Sequence, residues 1–286
     1  MGRLLRKIEI EREKQQWVNL LETLESAKAI MKDENISEEE RTKKCTKMLE
    51  EKEKELTFLI ETFDNKSTDT CWDFSTERKS DVFAEDEIIY IRGYRPEENN
   101  FIRQIKKENS SNPELYDDDE LWELSSEWIR KDRIFLCSIF EKKSREFVGY
   151  ISLKDTRSNL WEIAIELLAE HCNKGYGTRA IQIFLPAISA ISGKAQFQAL
   201  VETDNIPSQR LMEKCGAELI DIYDYSFDGD EDAAIDFEER HLHLITDRMV
   251  KLAQVIDVKP RKLLSHVLDY RFFVENGVIV DKCNVK

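Results

Sequence analysis

Apolar residues recur with a helical period in the first quarter of this chain. In residues 1–63 they recur at helical spacing on two stripes, which the polar turn KDEN separates. The first stripe comprises Leu5, Ile8, Leu20, Leu21, Leu24 and Ile30, and the second comprises Cys45, Leu49, Leu56, Leu59, Ile60 and Phe63. Ser37 and Glu40 are spaced as a capping box for the second helix. The pattern predicts an antiparallel helical hairpin, serving in docking or dimerisation or else in substrate binding.

The remaining chain alternates between the periods of strands and helices. Residues 64–86 are polar and aperiodic, which indicates a linker or an edge segment. The pattern then predicts a strand, two helices, three strands joined by short turns, a helix, a strand, a helix and a strand. Residues 237 to about 267 are again helical, and DYRFFV is predicted as a last strand. The fold class is therefore mixed α/β (α+β), with a largely antiparallel first half.

This pattern divides the chain into four parts. We predict a hairpin at 1–63, a linker or edge segment at 64–86, a core domain at 87–235, and a helical insertion or tail at 236–286. The appended helices at both ends could support a homodimer.

Composition narrows the class of protein. Of 286 residues, 41 % are hydrophobic, which is enough for a packed core. The net charge of −15 argues against a nucleic-acid partner and favours a cationic one. The six cysteines are scattered without CxxC spacing, as in reduced cytoplasmic thiols rather than a disulfide framework or a zinc site. No apolar run approaches the roughly 18 residues of a membrane span, so we expect a cytoplasmic protein with no membrane partner.

The decapeptide HCNKGYGTRA, residues 171–180, carries the candidate chemistry. It follows a predicted strand and opens a helix, so backbone N–H groups and the positive helix end should converge on an anion. Gly175 and Gly177 allow the close approach that a Cβ would block. The segment is neither a Walker loop nor a dinucleotide fingerprint, because it lacks GK[ST] and a third glycine. His171, beside the loop, is expected at the surface.

Residues 87–225 resemble the GNAT acetyltransferases. Their acetyl-CoA loop reads Gln/Arg-x-x-Gly-x-Gly/Ala, and DNIPSQRLMEKCGAELI looks like the Asn-x-x-Ser-x-x-Leu-x-Glu-Lys-x-Gly signature of the branch that acetylates ribosomal-protein N-termini. The resemblance implies a GNAT fold, a mixed and mostly antiparallel sheet flanked by helices, with acetyl-CoA as cosubstrate and no metal. The implied cofactor-binding residues are Ile165, Leu167, Cys172, Asn173, Lys174, Gly175, Tyr176, Gly177, Thr178, Asn205 and Ser208. For Asn205 and Ser208, helix capping is the alternative role.

Two positions depart from the family pattern. Cys172 replaces the Gln or Arg that helps to hold the pyrophosphate, and Lys174 could compensate as a point charge. Met212 occupies the position of the tyrosine that protonates the departing thiolate in many relatives. Either Tyr223 or Tyr225 replaces that acid, or the thiolate leaves unassisted.

Glu162 is the candidate general base. It shares one face of the fourth predicted strand with Glu166, because alternate residues of a strand point the same way. The resemblance to relatives with a glutamate early in this strand implies that Glu162 deprotonates the amine, through water. A solvated glutamate at a strand end is the alternative, with deprotonation left to solvent.

The sequence therefore predicts an N-acetyltransferase that moves acetyl from acetyl-CoA to an amine by direct attack. The acidic stretches at 114–128 and 217–239 favour a cationic acceptor: a small polyamine, an aminoglycoside-like amine or a basic peptide terminus. The rival hypothesis is a CoA-binding module that has lost catalysis and acts in interaction or regulation. His241 and His243 are expected on different faces of a helix, not as a metal pair.

Overall fold

The computed structural model describes residues 72–110, 112–224, 226–227 and 229–280, together with 26, 30, 37, 40 and 42–48. Contacts divide the chain into two compact units, one of which is Arg3–Thr68 while the other contains Asp69–Lys286. In the first unit, residues 42–48 are helical, and the Ser37 hydroxyl accepts a hydrogen bond from the Glu40 N–H at 3.2 Å. Most of the predicted hairpin lies outside the described residues, so it stays a prediction.

The second unit alternates strands and helices in the predicted order. Its described strands are β1 (Ala84–Glu85), β2 (Ile89–Gly93), β3 (Phe135–Glu141), β4 (Phe147–Leu153), β5 (Trp161–Leu167), β6 (Gln196–Val201), β7 (Glu218–Tyr223), β8 (Val267–Glu275) and β9 (Val278–Val280). Its described α-helices are α1 (Ser75–Lys79), α2 (Asn99–Asn109), α3 (Asp119–Ser125), α4 (Tyr176–Ser192), α5 (Ile206–Lys214), α6 (Glu231–Arg240) and α7 (Asp247–Val255). None of these helices combines the length and apolar character that crossing a bilayer requires.

The strands form one open sheet in the order β1-β2-β3-β4-β5-β6-β8-β7, with β9 paired to β8. All pairs are antiparallel except β5 with β6, which is parallel. The strand predicted from DYRFFV is β8, and it lies between β6 and β7 rather than at an edge. Residues 224–266, which include α6 and α7, therefore connect two neighbouring strands, as an insertion does.

Helices cover both faces of the first half of the sheet. On one face, Phe184 of α4 stacks on Phe135 of β3, with ring centroids 6.2 Å apart. On the other face, apolar side chains of α2 and α3 form a buried cluster with β3 and β4; its members include Ile102, Ile105, Trp122, Leu136, Phe140, Phe147, Tyr150 and Leu168. Successive residues of a strand point to opposite faces of the sheet. Only alternate residues of a strand can therefore contribute side chains to a site on one face.

The described part of residues 64–86 is more than a linker. Ala84–Glu85 pairs with β2 and forms the edge of the sheet. Phe74 is 2 % exposed and stacks on Phe135 with ring centroids 4.1 Å apart. The polar pattern around Phe74 concealed it, because the few apolar residues of this segment, which include Trp72, Val82 and Phe83, show no sustained period.

Truncation of Phe74 should destabilise the second unit. We expect Phe74→Ala to lower the free energy of unfolding by about 3 kcal/mol, because it leaves a cavity against Phe135. Phe101→Ala is the matched control, since Phe101 is 42 % exposed and its loss should cost about 1 kcal/mol or less. Urea denaturation of the two variants measures the difference, and equal costs would contradict the role given to Phe74.

Candidate functional site

Strands β5 and β6 separate almost as soon as they meet. Their parallel register couples only Trp161 with Phe197 and Glu162 with Gln198. Beyond that point β5 stays paired with β4 up to Leu167, while β6 stays paired with β8 up to Val201. The inner edge of β5 from residue 163 onward therefore faces a gap, in which Ile165 and Leu167 offer backbone groups to a ligand.

The predicted loop leads from the end of β5 into α4. Leu167 is followed by a 3-10 turn, Ala169–His171, and α4 begins at Tyr176. Among the described residues, no acceptor bonds the backbone N–H groups of residues 173–178; the first helical bond joins the Arg179 N–H to the Gly175 carbonyl at 3.2 Å. Six successive amides at the positive end of a 17-residue helix are the kind of donors that an anion would require.

The two glycines of the loop have different roles. Gly175 caps α4 with a φ of +86°, and no atom lies within 4 Å of where its Cβ would stand. Asn173 is also left-handed, with a φ of +60°. Gly177 is buried, and a Cβ there would lie 3.3 Å from Leu211 and 3.7 Å from Leu167. Gly175 thus serves the turn, whereas Gly177 permits the close packing of α4 against α5.

Side-chain contacts at both ends of the loop hold it in place. The Tyr176 hydroxyl donates to Glu141 at 3.0 Å, and the His171 ring packs edge-on against the Tyr176 ring. Arg179, in the first turn of α4, bonds Asp86 at 2.7 Å and Glu87 at 2.6 Å. The expectation that His171 lies at the surface was wrong: it is 8 % exposed, because its ring fills the space beside Tyr176.

Cys172 and Lys174 are both exposed, so both can reach a ligand at the loop. Burial, together with the Glu108 carboxylate, raises the pKa of the Cys172 thiol. Cys172 is therefore a neutral thiol at pH 7 and supplies no charge to an anion. Lys174 remains the candidate side-chain cation of the loop itself.

Asn205 and Ser208 lie at the start of α5. The Asn205 side-chain oxygen accepts the Ser208 N–H at 3.2 Å, which is the capping role that the sequence left open. Capping uses the Asn205 side-chain oxygen and the Ser208 amide, and it leaves the Asn205 amide group and the Ser208 hydroxyl available. The predicted cofactor contacts of both residues remain a prediction.

Glu162 lies at the point where β5 and β6 separate. Its carboxylate forms an ion pair with Lys154, which directly follows β4 and lies opposite Glu162, and its side chain is 14 % exposed. This position, on the face of the sheet that α2 and α3 cover, is compatible with a base acting on an amine that enters from that side. Its role stays a prediction.

Glu166 lies on the same face as Glu162, and both of its carboxylate oxygens accept hydrogen bonds. Its carboxylate accepts hydrogen bonds from Lys106 at 2.6 Å, Tyr150 at 2.5 Å and Asn109 at 3.1 Å. Burial raises the pKa of Glu166, but the Lys106 ammonium and the three hydrogen bonds outweigh it, so the pKa lies below its usual range. Glu166 is therefore a poor base, and Glu162 remains the better candidate.

The role of Tyr223 or Tyr225 as the acid for the thiolate stays a prediction. Met212 is buried. Tyr223 lies on β7, which β6 and β8 separate from β5. Tyr225 lies outside the described residues. Tyr270 donates to Glu213, and burial raises its pKa, which makes it a poor proton donor.

The remaining histidines do not form a metal site. His241 and His243 were expected on different faces of a helix, but α6 ends at Arg240, so both lie beyond it. Their ring centroids are 6.3 Å apart. The His241 Nδ1 lies 2.7 Å from the Phe237 carbonyl, which orients the ring. Among the described residues, no group of three His, Cys, Asp or Glu could hold a metal ion.

Comparisons with known proteins bear on this site. Residues 89–218 match the family described as acetyltransferase (GNAT) domain. No curated protein matches the chain. Similar solved structures include the ribosomal-protein-S5-alanine acetyltransferase of Vibrio fischeri, at 12 % identity over 67 % of this chain and 96 % of that one, with a TM-score of 0.43.

Two further similar structures come from Vibrio cholerae and Mycobacterium smegmatis. A variant of the spermidine N-acetyltransferase SpeG from Vibrio cholerae shows 15 % identity over 66 % of this chain and 95 % of that one, with a TM-score of 0.44. RimJ of Mycobacterium smegmatis, in complex with CoA-disulfide, shows 12 % identity over 68 % and 84 %, with a TM-score of 0.43. Residues 89–218 thus match the GNAT acetyltransferase domain, and the mixed, mostly antiparallel sheet flanked by helices has the GNAT fold.

Proposed function

We propose that this protein transfers acetyl from acetyl-CoA to a primary amine by direct attack. The observation that carries the proposal is the run of six unbonded backbone amides, residues 173–178, at the positive end of α4. A pyrophosphate is the anion that such a run suits, since it offers several oxygens to successive N–H donors. The run begins close to the gap between β5 and β6, where an extended ligand arm could follow the open strand edge.

The cosubstrate would lie along that gap. The amides of Asn173 to Thr178 would hold the pyrophosphate, with Lys174 adding charge. The open edge of β5 at Ile165 and Leu167 would pair with the amide groups of the pantetheine arm. Asn205 and Ser208, at the start of α5, would contact the same arm from the other side of the gap.

Acetyl transfer requires a neutral amine and a stabilised leaving group. Glu162 would accept the amine proton through a water molecule, because it lies where the two strands separate and its side chain is largely withdrawn from bulk solvent. The neutral amine nitrogen then bonds to the thioester carbonyl carbon and becomes positively charged. It gives up its second proton to solvent water, and the C–S bond breaks to leave the amide and the thiolate of CoA. The thiolate would leave without a protein acid, since a thiol is acidic enough for this to be tolerable.

The acceptor would be a cationic amine such as a polyamine or a basic peptide terminus. Residues 114–128 and 217–239 carry seven and ten acidic residues and no basic ones. Partners outside these stretches offset part of this charge: Asp117 bonds Lys107 at 2.5 Å, Asp119 bonds Arg103 at 2.6 Å, and Glu123 bonds Arg130 at 2.9 Å. The remaining acidic excess supports attraction of a cation at long range, with a smaller effect than the raw count suggests.

A paired experiment tests the proposal against the rival reading of a non-catalytic CoA-binding module. Calorimetry with acetyl-CoA measures binding, and release of free thiol measures transfer to a panel of amines. The proposal expects binding and amine-dependent thiol release. Binding without release from any amine would favour the rival, and no binding would refute both.

Gly175→Val should abolish acetyl-CoA binding. The substitution forces a branched residue into a left-handed conformation and projects it into the open space beside the loop amides. Gly193→Val is the matched control, because Gly193 ends the same helix with a φ of +72° and equally open surroundings. Both variants should lose roughly 1–2 kcal/mol of stability, but only Gly175→Val should lose binding by calorimetry. Equal affinity in the two variants would refute the pyrophosphate site.

Glu162→Gln should lower kcat by roughly 10²-fold, the low end for the loss of a general base. The affinity for acetyl-CoA should stay unchanged, since the loop amides do not involve this side chain. Glu146→Gln, at an exposed glutamate outside the gap, is the control and should leave kcat unaltered. A kcat for Glu162→Gln within about twofold of the parent would assign deprotonation to solvent.

Salt should weaken the use of cationic acceptors. Between about 20 and 500 mM salt the Debye length falls from roughly 20 Å to under 5 Å. We expect kcat/KM for a polyamine to fall several-fold over that range, while kcat/KM for a neutral amine stays low and flat. A neutral amino acid or an arylamine that outperforms every polycation, without salt dependence, would exclude the cationic acceptor class.

A further inference from the structure

The last turn of α2 reaches the segment that leads into the loop. The Glu108 Oε2 accepts a hydrogen bond from the Ala169 N–H at 2.9 Å. Ala169 is the first residue of the 3-10 turn Ala169–His171, and Leu168, at the cap position before it, supplies no side-chain hydrogen bond. A carboxylate from a distant helix therefore satisfies an N–H at the start of this turn, as a capping residue would.

Neighbouring residues of the same helical turn fasten the preceding strand end. Lys106 and Asn109 both bond Glu166, three residues before Ala169. Leu168, between these two points, is buried in the apolar cluster that also contains Ile105 of α2. Residues 166–169 are thus attached to α2 at three points: by hydrogen bonds at Glu166 and at Ala169, and by the apolar packing of Leu168 between them.

The Glu108 carboxylate is itself fixed in orientation. Its other oxygen accepts a hydrogen bond from Gln104 at 2.9 Å, one helical turn earlier. A carboxylate close to an anion-binding loop opposes the anion electrostatically. The position of the Glu108 carboxylate beside the loop is therefore explained by its hydrogen bond with the Ala169 N–H and not by its charge.

We propose that Glu108 is a positioning residue for the amide run 173–178, acting through its hydrogen bond to Ala169. The turn Ala169–His171 and Cys172 are the only residues between this bond and the first free amide. Fixing the start of the turn fixes the direction in which the amides converge, and an anion site depends on such preorganisation. That the bound anion is the pyrophosphate of acetyl-CoA rests on the proposed function.

Two substitutions separate the hydrogen bond from the charge. Glu108→Ala removes the acceptor, and Glu108→Gln retains a carbonyl oxygen while removing the charge. Glu108 is exposed, so both variants should fold. We expect the dissociation constant for acetyl-CoA to rise about tenfold in Glu108→Ala and to stay within about threefold of the parent, or fall, in Glu108→Gln. Amine KM values should be unchanged in both.

Hydrogen exchange supplies a readout that does not depend on acetyl-CoA. The bonded amides of Ala169, His171 and Cys172 should exchange about tenfold faster in Glu108→Ala and at nearly the parent rate in Glu108→Gln. Asn100→Ala, at an exposed residue in the first turn of α2, is the control and should alter exchange by no more than about twofold.

The outcomes are distinct for the two proposals. Unchanged exchange at Ala169 in Glu108→Ala, or equal loss of affinity in the Ala and Gln variants, would overturn the role of Glu108. A parent protein that binds no acetyl-CoA would instead overturn the proposed function, while the exchange data would still decide whether Glu108 positions the loop.

Discussion

The separation of β5 from β6 is the constraint on which the rest of the site depends. Only two residue pairs join these parallel strands, beside the buried rings of Trp161 and Phe197, whose centroids lie 6.5 Å apart. Each strand is paired on its outer side, β5 with β4 and β6 with β8, so the sheet opens without loss of either strand. Backbone polar groups of a central strand need partners, and along this gap a ligand can supply them.

The same need of backbone polar groups for hydrogen-bond partners applies to the loop that precedes α4. Its amides can stay unbonded only if other groups determine its conformation, because unsatisfied N–H groups otherwise favour rearrangement. Here the Tyr176 hydroxyl, the Arg179 guanidinium and the packing of Leu211 against Gly177 hold the start of α4. Glu108 holds the turn before it. The loop is thus fixed at both ends and open in the middle.

The sequence predicted the elements that depend on local pattern. The order of strands and helices, the glycine turn before α4 and the cap at Asn205 all follow from periodicity and turn chemistry within a few residues. Contacts between distant residues were not predictable in this way. Neither Phe74 on Phe135, the burial of His171, nor the bond from Glu108 to Ala169, 61 residues apart, leaves a local signal. The place of β8 between β6 and β7 is equally a matter of long-range pairing.

The count of acidic residues in the sequence and their pairing in the structure lead to different conclusions about the charge at the site. A count of acidic residues suggests that a cation would be held tightly at the site, yet both glutamates on the β5 face meet a lysine, Glu162 with Lys154 and Glu166 with Lys106. Under the proposed function this arrangement favours catalysis. An unpaired carboxylate cluster beside the amine would stabilise its ammonium form and oppose the deprotonation that attack requires. Acidic side chains farther out can attract the cation, while the near-neutral strand face allows it to lose its proton.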